Sequence, residues 1–119
     1  MPKFSVVIPT RERPDTLVYA LRTAVEQTFD DVEILVHESG DDARVTDVVS
    51  QYGDGRTRLV KTGHPVSMPE NWERALSCAA GDYITFIGDD DGLLPDACAA
   101  ADQMLRAAPT DILSWRPAA

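Results

Sequence analysis

The sequence predicts an α/β fold with a mainly parallel sheet and flanking helices. Short apolar runs alternate along the chain with longer segments of helical periodicity, a pattern typical of repeated strand–helix units. The first apolar run, at residues 3–9, is almost continuously apolar, as expected for a strand that is covered on both faces. The length of 119 residues suits one domain, which we assign to residues 1–119.

The first half of the chain contains three predicted strands and two predicted helices. A helix at residues 14–27 follows the first strand, because Leu17, Leu21 and Val25 recur at helical spacing and Asp15 is in capping range. The second strand is the apolar run at 32–38, and the next helix, at 42–53, is stopped by Gly53. A short third strand is predicted at 57–62.

The second half contains two more helices and two more strands. Ser67 and Glu70 have the spacing of a capping box and Pro69 suits a first turn, so a helix is predicted at residues 67–81. Residues 82–88 form the fourth predicted strand, residues 95–108 a helix, and residues 111–115 a final strand. Because no covering helix follows that strand, the fold is expected to be truncated at its carboxyl end.

Composition excludes several classes of function. The net charge is −9 and no cluster of Lys and Arg could follow a phosphate backbone, so nucleic acid is not an expected partner. Cys78 and Cys98 lack CxxC spacing and fall in predicted helices, which favours ordinary thiols over a redox pair. The sequence has neither a leader-like amino end nor a long apolar run, which predicts a cytoplasmic protein.

Three consecutive carboxylates, Asp89, Asp90 and Asp91, directly follow the fourth predicted strand. Ligands of open α/β sheets bind beyond the carboxyl ends of the strands. Neighbouring carboxylates repel each other by about 1 kcal/mol per pair at 4 Å in water. Since no Lys or Arg follows until Arg106, a bound Mg²⁺ or Mn²⁺ would relieve this repulsion. The same residues also suit a solvated turn without a ligand.

Two segments resemble the inverting GT-A glycosyltransferases of family 2. The stretch "FSVVIPTRERPDTLVYALRTAVEQTFDDVEILVHES" is similar to their opening, which typically contains S-V-V-I-P-T-Y-N-R. The stretch "AAGDYITFIGDDDGLLPD" is similar to their A-x-G-x-Y-I-x-F-x-D-x-D-D segment, which contains the metal-binding D-x-D motif. The resemblance implies a Rossmann-like, nucleotide-sugar-binding half of an enzyme that transfers sugar with inversion of configuration, the acceptor half being absent.

The resemblance also implies roles for individual residues. Carried over by position, nucleotide binding falls on Pro9, Thr10, Arg11, Glu12, Glu38 and Asp89, and a Mn²⁺ or Mg²⁺ ion on Asp90 and Asp91. Within this set, Glu38 would bond the base, Asp89 would face the ribose or share the metal, and Asp91 would support the loop. The general base of the family belongs to a later segment, so no catalytic residue is assigned to this chain.

The sequence departs from the family pattern at several positions. Arg11 replaces the usual base-stacking aromatic residue, which it could imitate with its planar face, and Glu12 replaces the usual Asn. Gly88 occupies the first position of the D-x-D motif. Asn71 lies near, but two positions away from, a family Asn that faces the nucleotide. Its neighbour Trp72 is predicted to pack in the protein interior. The histidine at position 37 is predicted to be packed or partly exposed and not a ligand.

The expected partners are a nucleotide-diphosphate sugar and an acceptor that is a glycan, a lipid or a protein. A lipid acceptor would bring the protein to a membrane. An unfinished sheet edge near residues 111–115 would favour homo-oligomers. Two rival functions remain open. One is a binding module that holds nucleotide and metal without transferring sugar, and the other is a nucleotidylyltransferase, which is disfavoured because "PTRERPD" lacks the glycine-rich loop of that class.

Overall fold

The computed structural model describes residues 2–114 and contains alternating strands and helices. They are β1 (Phe4–Thr10), α1 (Pro14–Val25), β2 (Val32–Glu38), α2 (Ala43–Tyr52), β3 (Thr57–Lys61), α3 (Met68–Cys78), β4 (Tyr83–Phe86) and α4 (Ala97–Ala107). This order confirms the predicted α/β fold. Within residues 2–114, no helix has the length and apolar character needed to cross a bilayer.

The strands form one parallel sheet in the order β3-β2-β1-β4. All seven residues of β1 are buried, which explains its almost continuously apolar sequence. Thr10 at the end of β1 pairs with Glu38 at the end of β2, and Val7 pairs with Phe86. Because the strands are parallel, the turns that follow β1, β2 and β4 lie along the same edge of the sheet.

The two faces of the sheet are covered unequally. On one face, Val6, Ile8 and Ile34 pack against α1, α2 and α4 in the larger core. Side chains alternate along a strand, so Val7 and Leu35 point to the other face, where they meet α3. Trp72 stacks on Phe86 there, but it is 37 % exposed, so its predicted burial is only partial.

Side-chain caps fix the starts of two helices. Ser67 Oγ accepts a hydrogen bond of 3.2 Å from the Glu70 backbone N–H, which confirms the predicted start of α3. Asp42 accepts one of 2.9 Å from the Arg44 backbone N–H at the start of α2. By contrast, α1 begins at Pro14 without a side-chain cap, and Asp15 lies in its first turn.

The predicted strand at 111–115 is wrong for residues 111–114, which form no strand; Trp115 lies outside the described residues. Thr110 Oγ1 donates to the backbone oxygen of Ile112 and accepts from its backbone N–H. These local hydrogen bonds take the place of the backbone bonds to a neighbouring strand. Ile112 is 82 % exposed. Within residues 2–114, β3 and β4 are therefore the edge strands of the sheet, and self-association through residues 111–115 stays a prediction.

Both cysteines lie in helices, as predicted, and both are free thiols. Burial raises the pKa of the Cys98 thiol to about 11. A thiol with so high a pKa carries almost no thiolate at neutral pH, so Cys98 is a packing residue of α4.

Candidate functional site

A cavity of about 340 Å³ lies at the carboxyl edge of the sheet, between the ends of β1 and β4 and the start of α3. It is lined by five of the predicted site residues: Pro9, Thr10, Arg11, Asp89 and Asp90. The other three, Glu12, Glu38 and Asp91, are not part of its lining. The structure therefore brings together the predicted residues that follow β1 and β4.

A second groove, of about 310 Å³, lies between β4 and α4. Its lining is mostly apolar and includes Leu93, Cys98 and Leu105. We assign the functional site to the cavity at the strand ends because, unlike the groove beside α4, it combines arginines with carboxylates at the position where α/β sheets bind ligands.

Asp89 is the structural centre of the site. It is 7 % exposed, and both of its carboxylate oxygens are hydrogen-bonded. Thr10 Oγ1 donates to Oδ2 at 2.8 Å and Arg13 Nη1 donates to Oδ1 at 3.1 Å. Asp89 thus ties the end of β1 and the start of α1 to the acidic turn.

Arg13 is a site residue that the sequence analysis missed. Its guanidinium pairs with Asp89 and lies 3.7 Å from Asp90 Oδ2. The lack of Lys or Arg close to Asp89–Asp91 in sequence therefore does not mean that these carboxylates lack a cationic neighbour. Arg13 lies 76 residues before Asp89 and relieves part of the repulsion. The only sequence signal was its position just after the end of a buried strand.

The carboxylates of Asp90 and Asp91 both approach Gly88. Asp90 Oδ1 and Asp91 Oδ2 lie 2.9 Å and 2.6 Å from the point where a side-chain carbon on Gly88 would stand. The two carboxylates therefore converge beside a residue with no side chain. Within residues 2–114, no group of three or more His, Cys, Asp or Glu side chains could hold a metal by itself. This donor set fits Mg²⁺ or Mn²⁺, which keep waters and bind substrate phosphates.

Glu38 is fully buried at the end of β2. Its Oε2 accepts a 3.0 Å hydrogen bond from the Asp42 backbone N–H, and its Oε1 lies 3.5 Å from Lys61 Nζ without a hydrogen bond. Burial raises the pKa of Glu38, although Asp42 N–H and Lys61 oppose the shift. The side chain faces α2 and β3, while the next residue, Ser39, lines the cavity. Base binding by Glu38 stays a prediction.

Two polar pairs fix the wall of the cavity beside β2. Ser39 Oγ donates to the backbone oxygen of Val66 at 3.0 Å and accepts from its N–H at 2.9 Å. Asn71 Oδ1 lies 2.7 Å from His37 Nδ1, and Asn71 Nδ2 donates to the His37 backbone oxygen at 3.2 Å. His37 is 2 % exposed, which confirms that it is a packed residue. The side-chain amide of Asn71 is thus hydrogen-bonded to His37, and Asn71 also lines the cavity.

Glu12 turns the chain from β1 into α1. Its φ of 51° lies in the left-handed region, which Asn adopts more readily than Glu. Asn is the residue that the resembled family carries at this position. The turn leaves Glu12 exposed and places Arg11 and Arg13, on either side of it, on the lining of the cavity.

Residues 5–115 match the family described as Glycosyl transferase family 2. The chain belongs to this family. A relative from Campylobacter jejuni, the GalNAc(5)-diNAcBac-PP-undecaprenol beta-1,3-glucosyltransferase, is 35 % identical over 100 residues, which are 82 % of this chain and 32 % of the relative. The Escherichia coli glucosyltransferase WfaP, named for UDP-Glc and alpha-D-GlcNAc-diphosphoundecaprenol, is 25 % identical over 87 residues, covering 73 % and 35 %. The chain thus spans about a third of these relatives.

Solved structures confirm the fold. Residues 1–349 of Staphylococcus aureus TarS, in complex with UDP, superpose with a TM-score of 0.82 at 20 % identity, covering 88 % of this chain and 32 % of that one. The mannosyltransferase PcManGT from Pyrobaculum calidifontis, in complex with GDP-Man and Mn²⁺, gives 0.76 at 21 % identity, covering 87 % and 32 %. Together with the family 2 match, these similarities confirm the predicted Rossmann-like, GT-A architecture.

Proposed function

We propose that this chain forms the nucleotide-sugar-binding part of a metal-dependent, inverting glycosyltransferase. In the reaction, an acceptor hydroxyl displaces a nucleoside diphosphate from the anomeric carbon of the donor sugar. One observation carries the proposal: the ends of β1 and β4 bring Thr10, Arg11, Asp89 and Asp90 to a single cavity at the carboxyl edge of a parallel sheet. Membership of family 2 supports the class of reaction.

The nucleoside is assigned to the wall formed by the end of β1. Pro9 and Thr10 present this wall, and the exposed Arg11 offers a planar guanidinium that can stack on a base. Glu12 and Glu38 belong to the proposed set through their neighbours Arg11 and Ser39, which line the cavity, since the Glu38 side chain itself is packed against α2 and β3.

The diphosphate is assigned to the acidic turn, with Mn²⁺ or Mg²⁺ held by Asp90 and Asp91. A bound divalent cation supplies charge neutralisation for the departing diphosphate. Asp90 suits this task because its side chain is 54 % exposed and faces the cavity. Asp91 adds a second carboxylate oxygen beside Gly88.

The acceptor is assigned to the class of lipid-linked glycans. Two of the relatives are named as glucosyltransferases that act on sugars linked to diphosphoundecaprenol. A sugar on a polyprenyl diphosphate would present its hydroxyl at a membrane surface. The general base and the acceptor contacts are not assigned to any residue of this chain.

The test is calorimetric titration of UDP and of GDP into the protein with Mn²⁺, repeated in EDTA. We expect binding that requires the metal and weakens by about tenfold or more in Asp90→Ala, because a charge-assisted contact is lost. Asp47→Ala is the matched control, since Asp47 is exposed on α2 and its loss changes the net charge equally. Equal binding with and without EDTA would contradict the metal requirement.

The alternative function is a module that binds nucleotide and metal without transfer. One observation is compatible with this alternative: the ion pair of Arg13 with Asp89 stabilises the acidic turn, and this stabilisation does not require that the protein transfer sugar. Hydrolysis or transfer of the sugar from UDP-glucose or GDP-mannose separates the two functions. Nucleotide binding without turnover, in a protein of the length of its relatives, would favour the module.

A further inference from the structure

We propose that Arg13 binds the diphosphate of the donor and that Asp89 is a positioning residue that aims its guanidinium into the cavity. This inference rests on the proposed function and deepens it. It assigns the acidic turn two different tasks: Asp89 orients a cationic side chain, while Asp90 is left for the metal.

Both oxygens of Asp89 are already hydrogen-bonded inside the protein. The residue is 7 % exposed, Oδ2 accepts from Thr10 at 2.8 Å, and Oδ1 accepts from Arg13 at 3.1 Å. A metal or a ribose hydroxyl at Asp89 would have to share an oxygen with one of these donors on a side chain that is almost inaccessible. The geometry therefore favours Asp89 as an anchor.

Most of the N–H donors of the Arg13 guanidinium are not used in its bond to Asp89. A guanidinium carries five N–H donors, and the one hydrogen bond that the Arg13 side chain makes to the described residues uses Nη1. The side chain is 52 % exposed and lines the cavity, so the remaining donors can reach a ligand there. The planar fork matches two oxygens of a phosphate, and Asp89 holds one side of the fork in place. An anchored guanidinium also loses less conformational entropy when it binds.

The contact of Arg13 with Asp90 distinguishes it from a purely structural arginine. Nη2 lies 3.7 Å from Asp90 Oδ2, which is an ion-pair distance and too long for a hydrogen bond. Arg13 therefore competes weakly with a cation for Asp90 when no nucleotide is bound. Loss of Arg13 should raise the affinity for a metal alone and lower the affinity for a diphosphate, two effects of opposite sign.

The test compares Arg13→Ala with Arg22→Ala by calorimetry. Arg22 is a matched control because it lies at the other end of α1, is 51 % exposed and, within residues 2–114, forms an ion pair with Glu26 alone, at 3.7 Å. For Arg13→Ala we expect UDP and GDP, titrated with Mg²⁺, to bind about tenfold or more weakly, since a charged hydrogen bond is lost. Uridine and guanosine, measured by competition, should bind unchanged, and Mn²⁺ alone should bind more tightly. Arg22→Ala should behave as the wild type.

A second variant, Arg13→Lys, keeps the charge and the pairing with Asp89 but loses the fork, so we expect an intermediate loss of UDP and GDP affinity. Unchanged UDP and GDP binding in Arg13→Ala overturns the inference and leaves the proposed function standing. A parallel loss of nucleoside, diphosphate and Mn²⁺ affinity also overturns it, because it indicates a structural role. Absence of UDP and GDP binding in the wild type overturns the proposed function together with the inference.

Discussion

Asp89 and Glu38 are two buried carboxylates at the ends of β4 and β2, the two strands that flank β1, and their surroundings differ. Asp89 receives hydrogen bonds on both oxygens and borders the cavity. Glu38 receives one hydrogen bond, from the Asp42 N–H, and its other oxygen has only the long pair with Lys61. Burial accordingly raises the pKa of Glu38. Sequence position after a strand thus does not by itself decide which carboxylate serves a ligand.

The difference comes from what covers each strand end. The start of α2 and the side chain of Lys61 close over Glu38, so the end of β2 is a packed region. Among residues 2–114, no comparable cover lies over the acidic turn, where the Asp90 side chain is half-exposed. At the covered end of β2, the pairing of Glu38 with Lys61 contributes to the stability of the fold. The exposed acidic turn after β4 is accessible to a ligand.

Removal of Lys61 should have the largest effect on stability. In Lys61→Met, Glu38 keeps its charge in the interior with a single hydrogen bond, and we expect unfolding to become easier by about 2 kcal/mol at neutral pH. A carboxyl whose pKa is raised on folding penalises the folded state at high pH, and the penalty disappears as pH falls through the folded-state pKa. The cost of Lys61→Met should therefore shrink in acid, as urea unfolding at several pH values would measure.

Asp41→Ala is the control for this variant. Asp41 pairs with the same lysine at 2.8 Å but is exposed, so its loss should cost less than about 0.5 kcal/mol. A cost for Lys61→Met that does not change between acidic and neutral pH would show that Glu38 is not the group responsible.

Thr10→Val should have a smaller effect on stability and a clear effect on binding. The valine has nearly the same shape as threonine but cannot donate to Asp89, which costs about 1 kcal/mol for one charged hydrogen bond. Because Asp89 would then be held less firmly, we also expect a several-fold weaker affinity for UDP or GDP by calorimetry. Thr46→Val on the exposed side of α2 is the control. Full retention of affinity would separate Thr10 from the site.

Gly88→Ala should change stability least, by less than about 0.5 kcal/mol. The added carbon would meet Asp91 Oδ2 at 2.6 Å and Asp90 Oδ1 at 2.9 Å, which are the ends of side chains that can move away. The two carboxylates would then separate, and Mn²⁺ affinity, measured by calorimetry, should fall. Gly55→Ala is the control, because nothing lies within 4 Å of its added carbon. Unchanged Mn²⁺ affinity would indicate that the ion binds elsewhere.

Most of the fold could be predicted because periodicity is a local property. The elements from β1 to α4 follow from apolar spacing and from caps such as Ser67 and Asp42. The segment at 111–114 could not be predicted in the same way. Its apolar run suits a strand, but whether a strand forms depends on a ladder partner, and Thr110 offers Ile112 local hydrogen bonds instead.

The site was predictable in position but not in its contacts. The family resemblance placed Thr10 in the site, Asp89 was indicated by its position after a strand, and the structure joins the two side chains. Arg13 was missed because its partners are far away in sequence. The direction of Glu38 depends on strand alternation, which sends it to the same face as Val36 and beneath α2. Such pairings depend on register and packing, which no local pattern contains.

The hydrogen bond between Thr10 and Asp89 also has a consequence for folding kinetics. It joins residues 79 apart in sequence, whereas the pairing of β1 with β2 joins residues 28 apart. Long loops close at a higher entropic cost, so the strand pairing that completes the site is the slowest to nucleate. A chain that has paired only β1, β2 and β3 has no acidic turn beside Thr10. The rate at which nucleotide binding recovers during refolding should therefore measure the rate at which β4 pairs with β1.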